Sequence, residues 1–159
     1  MASLFDSLIS RRDFAFCTSL LVGTIRAMAD FPWKDSDIIQ PKDLAARIVN
    51  NDSKAKDNKP LIVHVGFTLH YKQKHIPGAI YAGPGNKPEG LEKLKAAMAD
   101  VPKDREIILY CGCCPWDKCP NMKPSFAQLR DAGFKSVKAM VIEQNFGADW
   151  IDKGYPVEG

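Results

Sequence analysis

The sequence lacks a strong excess of charge of one sign, a long apolar run and any repeated or low-complexity tract. Its 22 basic and 19 acidic residues leave a net charge of +3, which is too small to indicate a nucleic acid or a membrane surface as a partner. No segment approaches the roughly 20 uninterrupted apolar residues that a membrane span requires. With 159 residues, the chain has the size of one ordinary domain and buries enough surface to fold without disulfides or metal. The cysteines are therefore informative about chemistry rather than about folding.

The first 29 residues resemble a twin-arginine export signal. The core of that consensus is matched by the run Ser10-Arg11-Arg12-Asp13-Phe14, and a moderately apolar stretch follows it. A small-x-small cleavage pattern is then supplied by Ala27-Met28-Ala29. We therefore expect cleavage after Ala29, removal of Cys17 and a periplasmic mature protein. An amphipathic helix that stays attached to the domain is the alternative.

Short apolar runs alternate with helical patterns along the rest of the chain. Strands are predicted at residues 61–65, near 80, at 105–110 and at 137–142, and helices are predicted to begin near Pro41 and to include Leu94, Leu129 and Trp150. Strands and helices that alternate on short connections predict an α/β fold, with a mostly parallel central sheet flanked by helices on both faces. We assign residues 30–40 to an amino-terminal extension and residues 41–159 to the domain.

Four of the five cysteines follow the apolar run at 107–110 within a single short loop. Cys111 ends the predicted strand, whereas Cys113, Cys114 and Cys119 lie in the loop beyond it. Ligands of open α/β sheets collect outside the carboxyl ends of the strands, so this is a favourable place for a site. A thiol between a strand end and a helix start also lies near backbone N–H groups and the positive end of the helix dipole, which favour a thiolate. This position distinguishes Cys111 from the other three.

Three sequence segments occur in an order typical of one family. They are the run His75-Ile76-Pro77-Gly78-Ala79-Ile80, the junction Leu109-Tyr110-Cys111 and the ending Gly154-Tyr155-Pro156-Val157. Together with the strand at 61–65, they resemble the rhodanese family over about residues 41–158. The resemblance implies a rhodanese-like fold and a sulfurtransferase activity in which Cys111 is the nucleophile.

The activity that this resemblance implies is transfer of a sulfane sulfur from a thiosulfate-like donor, through a persulfide on Cys111, to a nucleophilic acceptor. A small sulfur compound is the expected substrate, and a thiol or a redox protein is a further acceptor class. No cofactor and no metal are expected for this reaction. The residues expected to form the substrate-binding loop are Gly112, Pro115, Trp116, Asp117 and Lys118.

Three departures from the family pattern bear on the reaction. His64 and Gly66 occupy positions where many relatives carry an Asp-x-Arg pair, and a histidine in a buried strand is typically a hydrogen-bonded core residue. The loop after Cys111 is about five residues longer than usual, judged from the spacing to the next predicted helix. Asp117 stands where phosphatase-like branches place an arginine that clamps phosphate, so hydrolysis of phosphate esters is not expected.

The three additional cysteines leave three interpretations open. In the first, Cys111 carries the persulfide and Cys113, Cys114 or Cys119 resolves it. In the second, the cluster exchanges thiols and disulfides, with Cys114 and Cys119 closing a reducible loop. In the third, the thiolates bind zinc, copper(I) or an iron–sulfur centre, although the spacing matches no standard zinc pattern.

Three other residues of interest are interpreted structurally. Trp116 lies between prolines and is expected to anchor the loop on the core rather than to contact a partner. Asn121 is expected to cap the helix that follows the loop. His75 is expected to be a turn residue that satisfies local backbone groups.

Overall fold

The computed structural model of the chain describes residues 31–50 and 59–159. The predicted export signal, with its cleavage site after Ala29 and with Cys17, lies outside the described residues. None of the helices within the described ranges has the length and apolarity needed to cross a bilayer.

Five parallel strands form one central sheet in the order β1-β5-β4-β2-β3. The strands are β1 (Ile38–Ile39), β2 (Leu61–His64), β3 (Ile80–Tyr81), β4 (Ile107–Tyr110) and β5 (Val137–Met140). In the centre of the sheet, β2 runs in register with β4 from the Leu61/Ile107 pair to the His64/Tyr110 pair. The predicted parallel sheet is confirmed, and residues of the predicted extension contribute its edge strand β1.

Within the described ranges, four α-helices and a short π-helical segment connect and cover the strands. The helices are α1 (Pro41–Val49), α2 (Thr68–Gln73), α3 (Pro88–Ala97) and α4 (Met122–Asp131), and the π-helical segment is Gly147–Ile151. Pro41 and Pro88 occupy the first turns of α1 and α3, where a missing backbone N–H costs little. Gly133 follows α4 with a φ of +87°, the left-handed conformation expected of a helix-ending glycine. The sequence did not predict α2 or β1, because both are short and carry no apolar periodicity.

Alternate residues of the strands supply two separate hydrophobic cores, one on each face of the sheet. On the first face, Val63 and Leu109 pack with side chains from α3 and α4, together with Trp33 from the amino-terminal extension. On the second face, Ile62 and Ile108 pack with side chains from α1 and with Trp150. Because both faces are covered, β4 is buried along its whole length and its carboxyl end is held in a fixed position.

Candidate active site at the end of β4

Cys111 directly follows the central strand β4 and is almost completely buried, with 3% of its surface exposed. The strand is held there by neighbouring backbone: the N–H of Val65 donates to the carbonyl of Tyr110 at 2.9 Å. The Tyr110 hydroxyl in turn accepts a hydrogen bond from the N–H of Ile76, within the conspicuous 75–80 segment, at 3.1 Å. The segment that carried the family resemblance therefore contacts the strand that presents Cys111.

Three of the four clustered cysteines bring their sulfur atoms together. The Sγ atoms of Cys111, Cys113 and Cys119 all lie within 4.8 Å of one another, and we call this group the sulfur triad. The Sγ atoms of Cys111 and Cys113 are 3.1 Å apart. Cys114 is not a member of the group, although its Sγ lies 3.3 Å from that of Cys113. The loop thus groups Cys111 with Cys113 and Cys119, a choice that the sequence analysis had left open.

Asn121 supplies a hydrogen-bond donor to the Cys111 sulfur. Its Nδ2 lies 3.3 Å from Cys111 Sγ, and its Oδ1 accepts the N–H of Asn86 at 3.1 Å. The expectation that Asn121 caps α4 is wrong, because its side chain makes no capping hydrogen bond and its backbone is already helical. This role was missed because a position just before a helix usually indicates a cap, and only the fold brings residue 121 beside residue 111.

Backbone amides reinforce this environment. The backbone amide of Cys113 lowers the pKa of the Cys111 thiol, and the backbone amide of Asn121 lowers the pKa of the Cys119 thiol. The expected combination of loop amides and the start of a helix near the thiols is therefore present, since Asn121 immediately precedes α4.

The thiols of the triad compete for a single negative charge. Hydrogen bonds from Cys111 and Cys113 lower the pKa of the Cys119 thiol to about 2, although burial opposes this effect. The hydrogen bond from Cys113 lowers the pKa of Cys111, but hydrogen bonding to Cys119, burial and the charge of Cys119 together raise it to about 12. The pKa of Cys113 is raised, first by its hydrogen bond to Cys111. The directions of these pKa shifts favour negative charge on Cys119 over Cys111, which differs from the expectation that the strand-end position favours a thiolate on Cys111.

His64 lies beneath the cysteine loop as a neutral core residue, as expected. It is 2% exposed, its Nδ1 accepts the N–H of Gly66 at 3.3 Å, and its ring hydrogen-bonds to the backbone of Cys111. Burial, partly opposed by that hydrogen bond, lowers its pKa to about 4. His64 is therefore a support for the Cys111 backbone.

Gly66 is packed against the same site. A Cβ atom at this position would lie 2.8 Å from Cys111 Sγ and 2.9 Å from the His64 ring. No side chain fits there without a shift of the site.

Trp116 anchors the cysteine loop to the rest of the domain, as predicted. Its backbone N–H donates to the carbonyl of Ile142 at 2.8 Å, and its ring stacks on that of Trp33 with centroids 5.2 Å apart. Phe31 also stacks with Trp33, at 5.2 Å. Residues of the predicted extension therefore hold the loop in place, which the sequence reasoning did not foresee. The sequence feature that could have indicated this contact is the pair of large aromatic residues, Trp33 and Trp116.

The remaining residues of the predicted substrate-binding loop differ in accessibility. Gly112 is buried with a φ of +82°, and a Cβ atom there would lie 2.8 Å from the Phe146 side chain, so only glycine fits. Pro115 and Asp117 are partly exposed, and Lys118 is exposed on the short 3-10 turn Trp116–Lys118. Lys118 is thus the member of this set that solvent reaches most freely.

A cleft of about 540 Å³ opens beside the triad. It reaches Gly112 and Cys113 but not Cys111, and its other walls come from α2 and from the segment around the π-helical turn. The basic side chains among its lining residues are His70 and Lys74, and no carboxylate is among the described residues that line it. A small anion is therefore the kind of ligand that its charge favours.

His75 has a structural role, as predicted. Its ring stacks on Tyr71 with centroids 4.0 Å apart, its Nδ1 lies 2.8 Å from the Tyr71 carbonyl, and its backbone pairs with Glu158 in both directions at 2.8 Å. These contacts tie the carboxyl-terminal end of the chain to the 75–80 turn.

Comparison with known proteins gives a consistent assignment. The model of the rhodanese-like domain family matches residues 41–141, which is more than half of the chain. No curated protein matches. Among solved structures, a Bacillus halodurans protein is 27% identical, with a TM-score of 0.58 and coverage of 78% of this chain and 77% of that one.

Two further structures share the fold at lower identity. A rhodanese-like domain from Anabaena sp. is 21% identical with a TM-score of 0.54, covering 77% of this chain and 79% of that one. A Rhodopseudomonas palustris protein, described as of unknown function and a possible tyrosine phosphatase, is 20% identical with a TM-score of 0.53, covering 77% of this chain and 84% of that one. With the family match over residues 41–141 and this shared fold, the chain belongs to the rhodanese-like domain family.

Proposed function

We propose that this protein is a sulfurtransferase that moves a sulfane sulfur from a thiosulfate-like donor through a persulfide on Cys111. The observation that carries the proposal is the position of Cys111 at the carboxyl end of the central strand, where the Asn121 side-chain amide donates to its sulfur at 3.3 Å. Donors of this kind stabilise a thiolate and equally the persulfide anion that replaces it. Membership of the rhodanese-like domain family supports the same reaction class.

The reaction needs no external oxidant or reductant. As Cys111 attacks, its proton passes to a neighbouring sulfur of the triad, and the Cys111 sulfur forms a bond to the outer sulfur of thiosulfate. The sulfur–sulfur bond of thiosulfate breaks, and sulfite leaves with its electron pair. A nucleophilic acceptor then attacks the outer sulfur of the persulfide, and the Cys111 thiolate leaves. Each step exchanges one sulfur bond for another, so electrons and atoms balance.

The cleft beside Cys113 supports entry of an anionic donor. Lys74 and His70 line it without an opposing carboxylate among the described residues, and it leads to Cys113, which lies 3.1 Å from the buried Cys111 sulfur. Burial of Cys111 at 3% exposure limits hydrolysis and adventitious oxidation of a persulfide held there. A donor therefore reaches Cys111 after a small displacement of the Cys113 side chain.

The assay is thiocyanate formation from thiosulfate and cyanide, with Cys111→Ser compared against Cys114→Ser. Because Cys111 carries the sulfur, Cys111→Ser is expected to abolish turnover, whereas Cys114→Ser retains it. Intact mass after treatment with thiosulfate alone is expected to show one added sulfur per chain. Unchanged turnover in Cys111→Ser would refute the proposal.

A thiol–disulfide reaction is the second candidate, and the short Cys111–Cys113 sulfur distance of 3.1 Å favours it. A Cys113 thiolate that attacks the inner sulfur of the Cys111 persulfide forms a Cys111–Cys113 disulfide and releases hydrosulfide. An external dithiol must then reduce that disulfide. In this case the intact mass after thiosulfate falls by two hydrogens instead of rising by one sulfur, and hydrosulfide appears in solution.

Phosphatase activity, which is suggested for the Rhodopseudomonas palustris relative, is not part of the proposal. The sequence has no arginine between Arg105 and Arg130, and Asp117 stands at the sixth position after Cys111. A carboxylate there repels a phosphate ester instead of clamping it. Release of phenol from an aryl phosphate above the rate of a Cys111→Ser variant would contradict this inference.

Export through the twin-arginine route is proposed for the amino-terminal 29 residues. Because that route requires both arginines, replacement of Arg11 and Arg12 by lysine is expected to leave the uncleaved protein in the cytoplasm of an expressing bacterium. The wild-type chain, fractionated in parallel, is expected in the periplasm and to begin at Asp30. Equal distribution of the two chains between the fractions would exclude this route.

A further inference from the structure

We propose that the sulfur triad, formed by Cys111, Cys113 and Cys119, is a three-coordinate binding site for one Cu(I) ion. This proposal is independent of sulfur transfer, because it rests on where the three sulfur atoms lie and on the elements that hold them. It concerns the reduced protein, in which all four described cysteines are free thiols.

The distances between the sulfurs suit a single small ion. All three Sγ atoms lie within 4.8 Å of one another, and the closest pair is 3.1 Å apart. Thiolate sulfurs lie about 2.3 Å from a bound zinc ion, and we take the same distance for Cu(I). If three sulfurs surround one ion in a plane at that distance, they lie roughly 4 Å from one another. Binding therefore requires sulfur displacements well under the length of a bond and no change in the path of the loop.

Three different structural elements fix the three ligands. Cys111 is held by the end of β4, Cys113 follows the constrained glycine at position 112, and Cys119 closes the turn that Trp116 anchors. Trp116 itself is stacked on Trp33 at 5.2 Å. Because the scaffold already brings the sulfurs together, little chain entropy is lost on binding.

The kind and number of ligands favour Cu(I) over other ions. The group contains only cysteines, and among the described residues neither histidine nor carboxylate belongs to it. An all-sulfur set selects soft ions such as Cu(I), zinc or iron–sulfur clusters. Zinc is almost always four-coordinate in protein sites, whereas the triad offers three sulfurs within 4.8 Å of one another and Cys114 is not among them. An iron–sulfur cluster needs four cysteines around a volume larger than this one.

The surroundings also accommodate the charge. Binding replaces the thiol protons by the ion, and these protons pass to solvent without any change of oxidation state. The ion offsets one thiolate charge, while the Asn121 side chain donates to the sulfur of Cys111 and the Asn121 backbone amide lowers the pKa of the Cys119 thiol. The Cys113 sulfur is partly exposed, so water solvates the charge that remains.

Cu(I) bound in this way and a persulfide on Cys111 exclude each other, because both use the same sulfur. Stoichiometric Cu(I) is thus expected to inhibit any reaction that passes through Cys111. If experiments refute sulfur transfer, the proposed metal site is not refuted with it, because Cu(I) binding is measured without a sulfur donor.

The test is an anaerobic titration of the reduced full-length chain with Cu(I), in competition with a chromogenic Cu(I) chelator. The expected result is one Cu(I) per chain, with X-ray absorption showing sulfur neighbours alone, three per ion. Loss of a residue that only hydrogen-bonds to a metal ligand typically lowers the metal affinity by about tenfold or more. Loss of a ligand itself, in Cys113→Ser or Cys119→Ser, is therefore expected to lower the Cu(I) affinity at least that much. Cys114→Ser is the matched control and is expected to bind as the wild type does.

Several outcomes overturn the proposal. They are an affinity in Cys119→Ser equal to that of the wild type, a loss in Cys114→Ser as large as in Cys119→Ser, more than one Cu(I) per chain, or nitrogen and oxygen neighbours in the absorption spectrum. The spectrum of the wild type decides the question even if a serine variant fails to fold. Circular dichroism of each variant identifies such a failure.

Discussion

Replacement of Asn121 by alanine tests whether a buried amide assists sulfur transfer at Cys111. Asn121 is 0% exposed, and its two polar side-chain atoms have different partners. Its Oδ1 accepts the N–H of Asn86 at 3.1 Å, and its Nδ2 lies 3.3 Å from Cys111 Sγ. An N–H group requires an acceptor, so the bond to Asn86 orients the amide with its donor toward the sulfur.

The size of the kinetic effect follows from the charge on the sulfur. A hydrogen bond to a charged group contributes roughly 1.5–3 kcal/mol, and each 1.4 kcal/mol corresponds to about a factor of ten in rate. If the bond is strongest when negative charge develops on Cys111, its removal slows persulfide formation by roughly 10- to 150-fold.

The same substitution also destabilises the fold. It removes the acceptor of the Asn86 N–H and leaves a small cavity, which together cost about 2 kcal/mol. Activity must therefore be measured at a temperature and denaturant concentration at which the variant is fully folded. Equilibrium unfolding in urea, followed by circular dichroism, establishes that range.

Ser125→Ala is the matched control for Asn121→Ala. Ser125 is also 0% exposed and lies in the first turn of α4, but its hydroxyl has no hydrogen-bond partner among the described residues. Its removal is expected to leave the rate of thiocyanate formation unchanged and stability unchanged or slightly higher. The reasoning is refuted if folded Asn121→Ala forms the persulfide as fast as the wild type, or if Ser125→Ala slows it equally.

Three further predictions concern the site and its supports. The pKa of His64 is about 4 in the folded protein against 6.5 in the unfolded chain, so the unfolded state binds more protons between these two values. Acidification from pH 7 to pH 5 should therefore lower the free energy of unfolding by about 2 kcal/mol in the wild type, and a His64→Gln variant should not show this loss. Equal losses for the two proteins in urea titrations would contradict this prediction. Trp116→Ala should lower the free energy of unfolding by about 2 kcal/mol through loss of the aromatic stack, while Lys118→Ala should change it by less than about 0.5 kcal/mol. Similar losses of stability for the two variants in thermal unfolding would exclude the anchoring role of Trp116. Gly66→Ala should lower the free energy of unfolding by about 1–3 kcal/mol and slow thiocyanate formation, because its Cβ would lie 2.8 Å from Cys111 Sγ. A wild-type rate would contradict this prediction, since it would mean that Cys111 moves aside without loss of activity.

The sequence alone was sufficient to predict the fold and the position of Cys111 at the end of a buried strand. The apolar run of β4 and the branched residues of β2 indicated buried parallel strands, and both are confirmed. The position of Cys111 at a strand end followed from the same pattern. These features were predictable because strand and helix preferences depend on neighbouring residues, and because parallel strands end at one edge of a sheet.

The short elements were not predictable in this way. Strand β1 has two residues and α2 has six, too few for a periodic apolar pattern to emerge. Strand β1 exists because Ile38 and Ile39 pair with β5, about a hundred residues later in the chain.

The grouping of the cysteines was decided by tertiary structure. The sequence left open which of the other three cysteines accompanies Cys111, and the sulfur triad joins Cys111 to Cys113 and Cys119. That choice depends on Trp116, which is held by Trp33 and by the Ile142 carbonyl, and these partners lie far from the loop in sequence. Asn121 became a donor to Cys111 for the same reason. The sequence by itself determined that a thiol ends the central strand, whereas contacts between distant segments decided which sulfurs and which amide surround it, because local preferences do not specify the path of an irregular loop.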